Sequence, residues 1–230
     1  MKKATHRDDL LSFVSHEMKN PLTSITGFAS FAEDAVKNHD QELALESLQV
    51  VRCEAQRVLR LAEDLLDIAQ VSAGKFSVKM EQLDLRAVVQ KIADRYSAVA
   101  GRRIEIVAPG EFPCIAGDSV RLGQVIENLV SNATKYSPDE TPIRITMLCD
   151  DSRVTVCVWN NGPAIPPEQL PLIFKRFSRL KNGCGRSVKG AGLGLYISKQ
   201  IVELHGGTID VISSEGEGTC FTLALPRQVN

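Results

Sequence analysis

The spacing of apolar residues changes once along this chain, near the segment SAGK at residues 72–75, and that change most limits the possible folds. Before it, apolar residues recur at steps of three and four, the pattern of an amphipathic helix packed on other helices. After it, segments that alternate apolar and polar residues, typical of half-buried strands, are interspersed with helical segments. The sequence therefore predicts two domains of different architecture, residues 1–75 and 76–230.

The first domain is predicted to be a helical hairpin. Its clearest helical pattern consists of apolar positions that alternate steps of three and four: Leu48, Val51, Ala55, Val58, Ala62, Leu65 and Ala69. An earlier segment has a similar pattern, and the polar residues KNHDQE lie between the two, with Asp40 as a cap for the second helix. Leu59 and Leu66 widen the apolar face beyond what one hairpin covers. We therefore expect two hairpins to form a four-helix bundle in a homodimer.

The second domain is predicted to be an α+β two-layer sandwich. Strand candidates are FSVKMEQLDL, RRIEIVA, FPCIAG, PIRITMLCD, RVTVCVW, TIDVISS and GTCFTLALP. Helical segments follow Asp84 and Asp118, and a third one is LGLYISKQIVELH. Because the strands come mostly in pairs with helices between them, we expect a mixed sheet that is covered on one face by helices.

Composition argues against several classes of function. The 27 Lys and Arg residues are balanced by 28 Asp and Glu residues, so the chain lacks the basic character of a nucleic-acid-binding protein. No apolar run approaches the roughly 20 residues that cross a bilayer. The six cysteines are scattered without a C-x-x-C pair, so we expect reduced thiols instead of metal ligands or a disulfide framework. These features favour a cytoplasmic chain without membrane contact of its own, and it can be the cytoplasmic part of a longer protein.

The first candidate site is a histidine in the polar run FVSHEMKNPLTSI, residues 13–25. Heptad numbering from Leu11 places His16 on the solvent side of the helix, with Asn20 one turn later on the same face. A surface histidine usually has no chemical role. Glu17 directly after it and the helix-bending Pro21 favour a nucleophilic site here. Histidine is largely neutral near pH 7, and its unprotonated nitrogen is a competent nucleophile.

The second candidate site combines three segments of the second domain. Asn128 and Asn132 share one helical face, with Lys135 suited to a phosphate and Tyr136 to a base. Amide oxygens in this arrangement suit Mg²⁺, which keeps waters and phosphates among its ligands. NNGPAIP, residues 160–166, favours either a plain turn or the floor of a pocket.

The third segment is GAGLGLYIS, residues 190–198, which directly precedes a helix, so that phosphates can approach the helix N-terminus. A Rossmann site would need a strand immediately before the glycines, whereas here the polar loop SRLKNGCGRSVK precedes them. The length and the Gly, Lys and Arg content of this loop predict a mobile lid.

Six segments in this order resemble the motifs of the sensor histidine kinases of two-component systems. They are FVSHEMKNPLTSI (phosphoacceptor box), NLVSNATKYSP (N box), NNGPAIP (first glycine box), IFKRFSR (phenylalanine box), GAGLGLYIS (second glycine box) and SEGEGTCFTLALP (closing segment). The resemblance implies a dimerisation and histidine phosphotransfer domain over residues 1–75. It also implies an ATP-binding catalytic domain of the GHKL, or Bergerat, type over residues 76–230.

The resemblance implies that His16 takes the γ-phosphoryl group of ATP and passes it to an aspartate of a response-regulator receiver domain. Glu17 would be the acid/base partner of His16, and Asn20 would orient a water when the kinase dephosphorylates the regulator. Asn132 would bind Mg²⁺ with Asn128 beside it. The other positions that the resemblance assigns to ATP or the lid are Lys135, Tyr136, Asn160, Gly162, Ala164, Ile165, Phe174, Phe177, Arg179, Gly190, Gly192, Leu193, Gly194, Leu195 and Thr219.

The first glycine box departs from the family pattern D-x-G-x-G at two positions, where Asn160 replaces the Asp and Ala164 replaces the last Gly. The Asp accepts a hydrogen bond from the adenine amino group. An Asn can accept that bond or donate one instead, which weakens the discrimination between adenine and guanine. An alternative is therefore a kinase-like protein with weakened nucleotide binding that acts mainly as a phosphatase or dimeric scaffold. A gyrase- or chaperone-type ATPase would need a Glu in place of Asn128, and the adjacent Glu127 points about 100° away on the helix.

Overall fold

The computed structural model describes residues 2–110, 112–178 and 191–227, with the backbone alone for residues 2–13 and Ala100. The chain separates into two compact units, Met1–Gln70 and Val71–Asn230. Nearly all of the predicted lid lies outside the described residues, and so do two of the predicted site residues, Arg179 and Gly190.

Two long helices form the first unit, as predicted. Helix α1 spans Lys2–Lys37 and helix α2 spans Gln41–Ser72. The predicted cap of the second helix is present, because Oδ1 of Asp40 accepts a hydrogen bond of 3.0 Å from the backbone N–H of Leu43. The predicted helical hairpin is therefore confirmed.

The apolar line predicted on α2 is only partly covered within one chain, where Val51, Val58 and Leu65 are half-buried. Ala44 and Ser47 are buried, whereas Leu48 of the predicted line is 51% exposed. Leu59 and Leu66, the second predicted line, are 60% and 63% exposed. Because a hairpin partner covers only one side of a helix, α2 keeps an apolar side that is open to further helices.

The second unit is built on a five-stranded sheet with the order β2-β4-β5-β7-β6. Its strands β2 and β4 run parallel, and the other neighbouring strands run antiparallel, which confirms the predicted mixed sheet. Strands β1 and β3 form a separate antiparallel pair. The helices and strands of this unit are β1 (Glu81–Leu83), α3 (Leu85–Ala100), β2 (Ile104–Val107), β3 (Ile115–Gly117), α4 (Ser119–Tyr136), β4 (Ile143–Cys149), β5 (Arg153–Asn160), α5 (Gly194–Leu204), β6 (Thr208–Ser214) and β7 (Gly218–Pro226).

Alternate residues of the central strands form the core of this unit. The side chains of β4 and β5 that are fully buried are Ile143, Ile145, Met147, Val154, Val156 and Val158. The apolar faces of α4 and α5 are buried as well, with Leu122, Ile126, Leu129, Ile197 and Ile201 in the core. Each such side chain contributes about 1.5–3 kcal/mol through its removal from water. The apolar core thereby holds the two helices side by side, and most of their polar residues lie outside it.

A disulfide joins Cys157 on β5 to Cys220 on β7, whose Cα atoms lie 6.3 Å apart. The prediction that all cysteines are reduced thiols is therefore wrong for this pair. Trp159 is the register partner of Cys220, so the two cysteines are diagonal neighbours on adjacent strands. They are 63 residues apart in the chain, and cysteine spacing alone did not reveal that their strands pair. Cys53, Cys114 and Cys149 are free thiols.

Asp118 anchors the N-terminus of α4. Its Oδ1 accepts hydrogen bonds of 3.0 and 3.1 Å from the backbone N–H groups of Val120 and Arg121. Its Oδ2 accepts a bond of 3.0 Å from the N–H of Lys79. Burial alone would raise the pKa of Asp118, but these three hydrogen bonds outweigh it and hold the pKa below its usual value.

A buried histidine joins the same helix end to α5. The backbone N–H of Asp118 donates a hydrogen bond of 2.9 Å to Nε2 of His205. The other ring nitrogen, Nδ1, lies 2.7 Å from the carbonyl oxygen of Ile201 and donates to it. An imidazole that accepts at one nitrogen and donates at the other is neutral, so His205 links the two helices as a neutral side chain.

We predict that Asp118→Ala lowers the free energy of unfolding by about 1–2 kcal/mol near pH 7, because the cap of α4 is lost. The folded-state pKa of Asp118 is lowered, so its stabilisation is fully present above the unfolded value of about 3.9. It is lost as the pH falls through the folded-state value. Urea unfolding of both proteins between pH 7 and pH 2 measures this difference.

The matched control is Asp84→Ala, which removes the cap of α3, where the aspartate accepts one backbone hydrogen bond, from Ala87. We expect a smaller loss of stability in this variant. A deficit in Asp118→Ala that stays constant from pH 7 down to pH 2 would show that the ionised carboxylate does not provide the stabilisation.

Candidate functional site

His16 lies on the exposed side of α1, as predicted, and Asn20 is exposed one turn later. Glu17 differs from both, because it is only 7% exposed and its Oε2 lies 3.5 Å from Nη2 of Arg57 on α2. Arg57 also pairs with Glu54 at 3.5 Å. The carboxylate next in sequence to His16 is thus held between the two helices by an arginine. The acid/base role of Glu17 stays a prediction.

The central contact of the second unit is between Asn128 on α4 and the start of α5. Nδ2 of Asn128 donates a hydrogen bond of 3.0 Å to Oγ of Ser198. Its Oδ1 lies against Gly194, where an added methyl group would overlap it. Only glycine at this position lets α5 approach α4 so closely. The N box and the second glycine box are thereby brought together.

The role of Ser198 was not predicted. It is buried in α5 and lies four residues after Gly194, on the same helical face. A polar residue on the otherwise apolar buried face of α5 is the signal that could have identified it. Its hydroxyl group fixes which end of the Asn128 amide faces α5.

The other N-box residues follow along α4. Asn132 is half-buried, Lys135 is exposed in the last turn, and Tyr136 is the last helical residue. Glu127 instead faces α3, where its Oε2 lies 2.7 Å from Nη2 of Arg95. An ion pair with α3 is a structural role for this carboxylate and disfavours its use as a water-activating base.

The predicted pocket floor begins at Asn160, the last residue of β5, which is 4% exposed. A methyl group on Gly162 would come within 2.7 Å of Nδ2 of Asn160 and within 2.8 Å of the carbonyl oxygen of Tyr136. The backbone of Gly162 therefore lies against both the Asn160 amide and the end of α4. This contact brings the first glycine box to the N box.

Two hydroxyl groups lie beneath this segment. The backbone N–H of Ile165 donates a hydrogen bond of 2.9 Å to Oγ of Ser213, which lies 2.7 Å from Oγ1 of Thr219. Thr219 is buried and is the register partner of both Asn160 and Ser213. Ser213 was not predicted, because its position depends on the pairing of β6 with β7. Ala164, by contrast, is exposed.

The second glycine box also contacts the phenylalanine box. Gly192 has a φ of 66°, and a methyl group there would come within 2.5 Å of the carbonyl oxygen of Ser178. Leu193 is buried directly before α5, and Leu195 is half-buried in its first turn. The backbone after Phe177 therefore packs on the glycine segment.

Phe174 packs its ring edge-to-face on Phe221 of β7, with ring centroids 6.5 Å apart. Phe177 is half-buried and has a φ of 61°. The described residues on both sides of the predicted lid are thus attached to the sheet and to α5. Within the second unit, the structure brings the N box, both glycine boxes and the phenylalanine box to one site.

Two family models match the chain in succession. The His Kinase A (phospho-acceptor) domain matches residues 6–74, and the histidine kinase-, DNA gyrase B- and HSP90-like ATPase matches residues 117–229. The chain belongs to the sensor histidine kinase family. The sensor protein kinase WalK of Staphylococcus haemolyticus (strain JCSC1435) is 34% identical over 226 residues, which are 97% of this chain and 37% of WalK. This histidine kinase chain therefore spans little more than a third of that relative.

Solved structures agree with the observed fold. Full-length ShkA in complex with AMPPNP has a TM-score of 0.68 and 25% identity, over 96% of this chain and 46% of ShkA. ThkA in complex with the response regulator protein TrrA has a TM-score of 0.69 and 24% identity, over 99% of this chain and 65% of that one. The predicted fold, a helical hairpin followed by an α+β sandwich of the GHKL type, is confirmed.

We predict that Gly194→Ala lowers the free energy of unfolding of this histidine kinase core by about 1–3 kcal/mol, because the methyl group forces α5 away from Asn128. The matched control is Gly123→Ala in α4, where the nearest atom to an added methyl group is Cγ1 of Val88 at 3.7 Å. There the same substitution raises stability by about 0.5–1 kcal/mol, because alanine favours the helix. Urea unfolding of the three proteins compares these effects. Equal stabilisation by both substitutions would contradict the close helix contact.

Proposed function

We propose that this chain transfers the γ-phosphoryl group of ATP to His16 and then to an aspartate of a response-regulator receiver domain. The observation that carries this proposal is the convergence of Asn128, Gly194, Asn160 and Gly162 at one site of the second unit. The first unit supplies a histidine that is exposed and open to reaction. We assign the phosphoacceptor role to residues 1–75 and ATP binding to residues 76–230.

The nucleotide is proposed to lie along α4 with its phosphates at the N-terminus of α5. Gly192 and Gly194 leave the backbone there open to close approach, and the helix N-terminus attracts negative charge. Lys135 adds a positive charge for the phosphates. The base would lie beside Asn160 and Gly162, above the hydroxyl group of Thr219, and Tyr136 would flank it.

A magnesium ion would neutralise the phosphate charge. Among the described residues, no group of three His, Cys, Asp or Glu side chains could hold a metal. Neutral amide oxygens fit Mg²⁺, because this ion takes few protein ligands and keeps phosphates and waters. Of the two asparagines predicted as ligands, Asn132 fits this role better. The amide of Asn128 already bonds to Ser198 and packs on Gly194.

In the proposed reaction, a ring nitrogen of His16 bonds to the γ-phosphorus while the bond from that phosphorus to the β–γ bridging oxygen breaks and ADP leaves. Glu17 would accept the ring proton, and Arg57 would hold its carboxylate in place. Asn20, exposed one turn further on, would orient a water against the phosphorylated regulator. Positioning and charge neutralisation provide most of the catalysis in phosphoryl transfer.

We further propose that the active form is a homodimer. Leu48, Leu59 and Leu66 are more than half exposed on α2, and a second hairpin would cover them in a four-helix bundle. The receiver domain is proposed from membership of the family, and the similar protein ThkA has been solved in complex with a response regulator protein. No helix in the described ranges is long and apolar enough to span a membrane. We propose that this chain acts in the cytoplasm.

The alternative of a scaffold with weakened nucleotide binding is not favoured, because the N box and second glycine box are assembled. A gyrase- or chaperone-type ATPase is disfavoured by the ion pair of Glu127 with Arg95.

Incubation with γ-labelled ATP and Mg²⁺ tests the proposed function. We expect label that is lost in acid, stable in alkali and absent from His16→Gln. The matched control is His39→Asn, at the hairpin turn, where the residue is exposed and has a φ of 59° that asparagine tolerates. This variant should label like the wild type. Label that persists in His16→Gln, or a wild type that binds no ATP at millimolar concentration, would refute the proposal.

A further inference from the structure

The side chain of Asn160 is buried, yet nothing in the described part of the chain forms a hydrogen bond with its amide group. Within the described residues, the fully enclosed side-chain polar atoms without a partner are Nε of Arg102 and Oγ of Ser137, so the Asn160 amide keeps contact with solvent and is within reach of a ligand. The position of the residue itself is tightly fixed. Its backbone pairs with Thr219, and Gly218 lies so close that an added methyl group would overlap the Asn160 carbonyl oxygen. The residue is therefore held in place, whereas the NH₂ donor and the oxygen acceptor of its amide can both bond to a ligand.

The chain contains an internal comparison in Asn128. That amide has one orientation, because its Nδ2 donates to Ser198. The amide of Asn160 lacks such a bond in the described residues, and the last side-chain torsion of asparagine has two broad, nearly equivalent states. A ligand can therefore choose whether it meets the oxygen or the NH₂ group.

We propose that Asn160 makes this site accept 6-oxopurine nucleoside triphosphates as well as ATP. The inference rests on the proposed nucleotide site. Adenine presents an amino donor at position 6 and an acceptor at N1, whereas a 6-oxopurine presents an acceptor oxygen and an N1–H donor. A carboxylate only accepts hydrogen bonds, so it pairs with adenine and repels O6. The Asn160 amide pairs with either base after a half-turn of its end group.

The hydroxyl groups beneath the base can adjust in the same way. Ser213 accepts a hydrogen bond from the N–H of Ile165, and its own hydroxyl proton can point to Thr219. Alternatively, Thr219 donates to Ser213. The Thr219 hydroxyl group can thus donate or accept a hydrogen bond. Neither Thr219 nor Asn160 is therefore restricted to accepting, and neither must repel O6.

The test compares ATP, ITP and GTP as donors for labelling of the full chain, together with the binding of ADP and IDP. ITP differs from ATP only at position 6 and the adjoining N1–H, so it tests the hydrogen bonds to Asn160 alone. GTP also carries a 2-amino group, so its use tests whether the site has space beside position 2 of the base. We expect the wild type to use ITP within about tenfold of ATP. Asn160→Asp should increase the preference for ATP to about a hundredfold or more, because the carboxylate cannot donate to O6.

The matched control is Asn161→Asp, which adds the same charge at the exposed neighbouring residue. It should keep the wild-type ratio of ITP to ATP. Since that ratio is measured on the wild type, the test does not depend on the folding of a variant. Equal binding of ADP and IDP without transfer to His16 would support this proposal and refute the proposed kinase reaction.

A wild type that disfavours ITP and IDP by more than about a hundredfold would overturn the proposal. An unchanged ratio in Asn160→Asp would overturn it as well, because the preference would then be set elsewhere. If neither ADP nor IDP binds, both this inference and the proposed nucleotide site fail.

Discussion

The close packing of α5 on the Asn128 amide is the contact on which the rest of the second unit's site depends. Gly194 permits it, because any side chain there would overlap the amide oxygen. Ser198 fixes the orientation of the amide by accepting its N–H. Elsewhere along the two helices, His205, which directly follows α5, accepts a hydrogen bond from the backbone N–H of Asp118, the cap of α4. The helices are therefore joined by polar contacts at two places, with the apolar core between them.

The base side of the site is built by the same physical means. Gly162 lies against the Asn160 amide and Gly218 lies against its carbonyl oxygen, so two residues without side chains enclose one asparagine. Close packing of a glycine backbone on a polar side chain brings polar groups of different segments together and leaves no space for a further side chain. Asn128 and Asn160 differ in one respect that matters for function. The former amide is already bonded, whereas the latter is left for a ligand by the described residues.

Much of the fold could be predicted, because its signals are local. Asp40, Asp84 and Asp118 each cap the helix that follows, and the change of periodicity near residue 73 separates the hairpin from the sheet. The site segments were recognised because their residue types and order are distinctive. In contrast, the sequence did not show how much of the apolar surface of α2 one hairpin covers, since apolar residues lie on two sides of that helix and only packing shows which side is covered.

Other features depend on strand and helix neighbours that no local pattern specifies. Ser198 bonds to Asn128, 70 positions away, and Ser213 bonds to Ile165, 48 positions away. The Cys157–Cys220 disulfide joins residues that are 63 positions apart. The paired charges of Glu17 with Arg57 and of Glu127 with Arg95 also became visible only in the structure. They show that two acidic residues next to the predicted site residues His16 and Asn128 face neighbouring helices.

The most direct test of this account is a crystal structure of the chain with AMPPNP and Mg²⁺. The account predicts that the edge of the base lies within about 3.2 Å of the Asn160 amide and that the phosphates lie at the N-terminus of α5. The magnesium ion should be bound by Oδ1 of Asn132. A base that lies away from Asn160, or a metal that Asn132 does not contact, would contradict the proposed site.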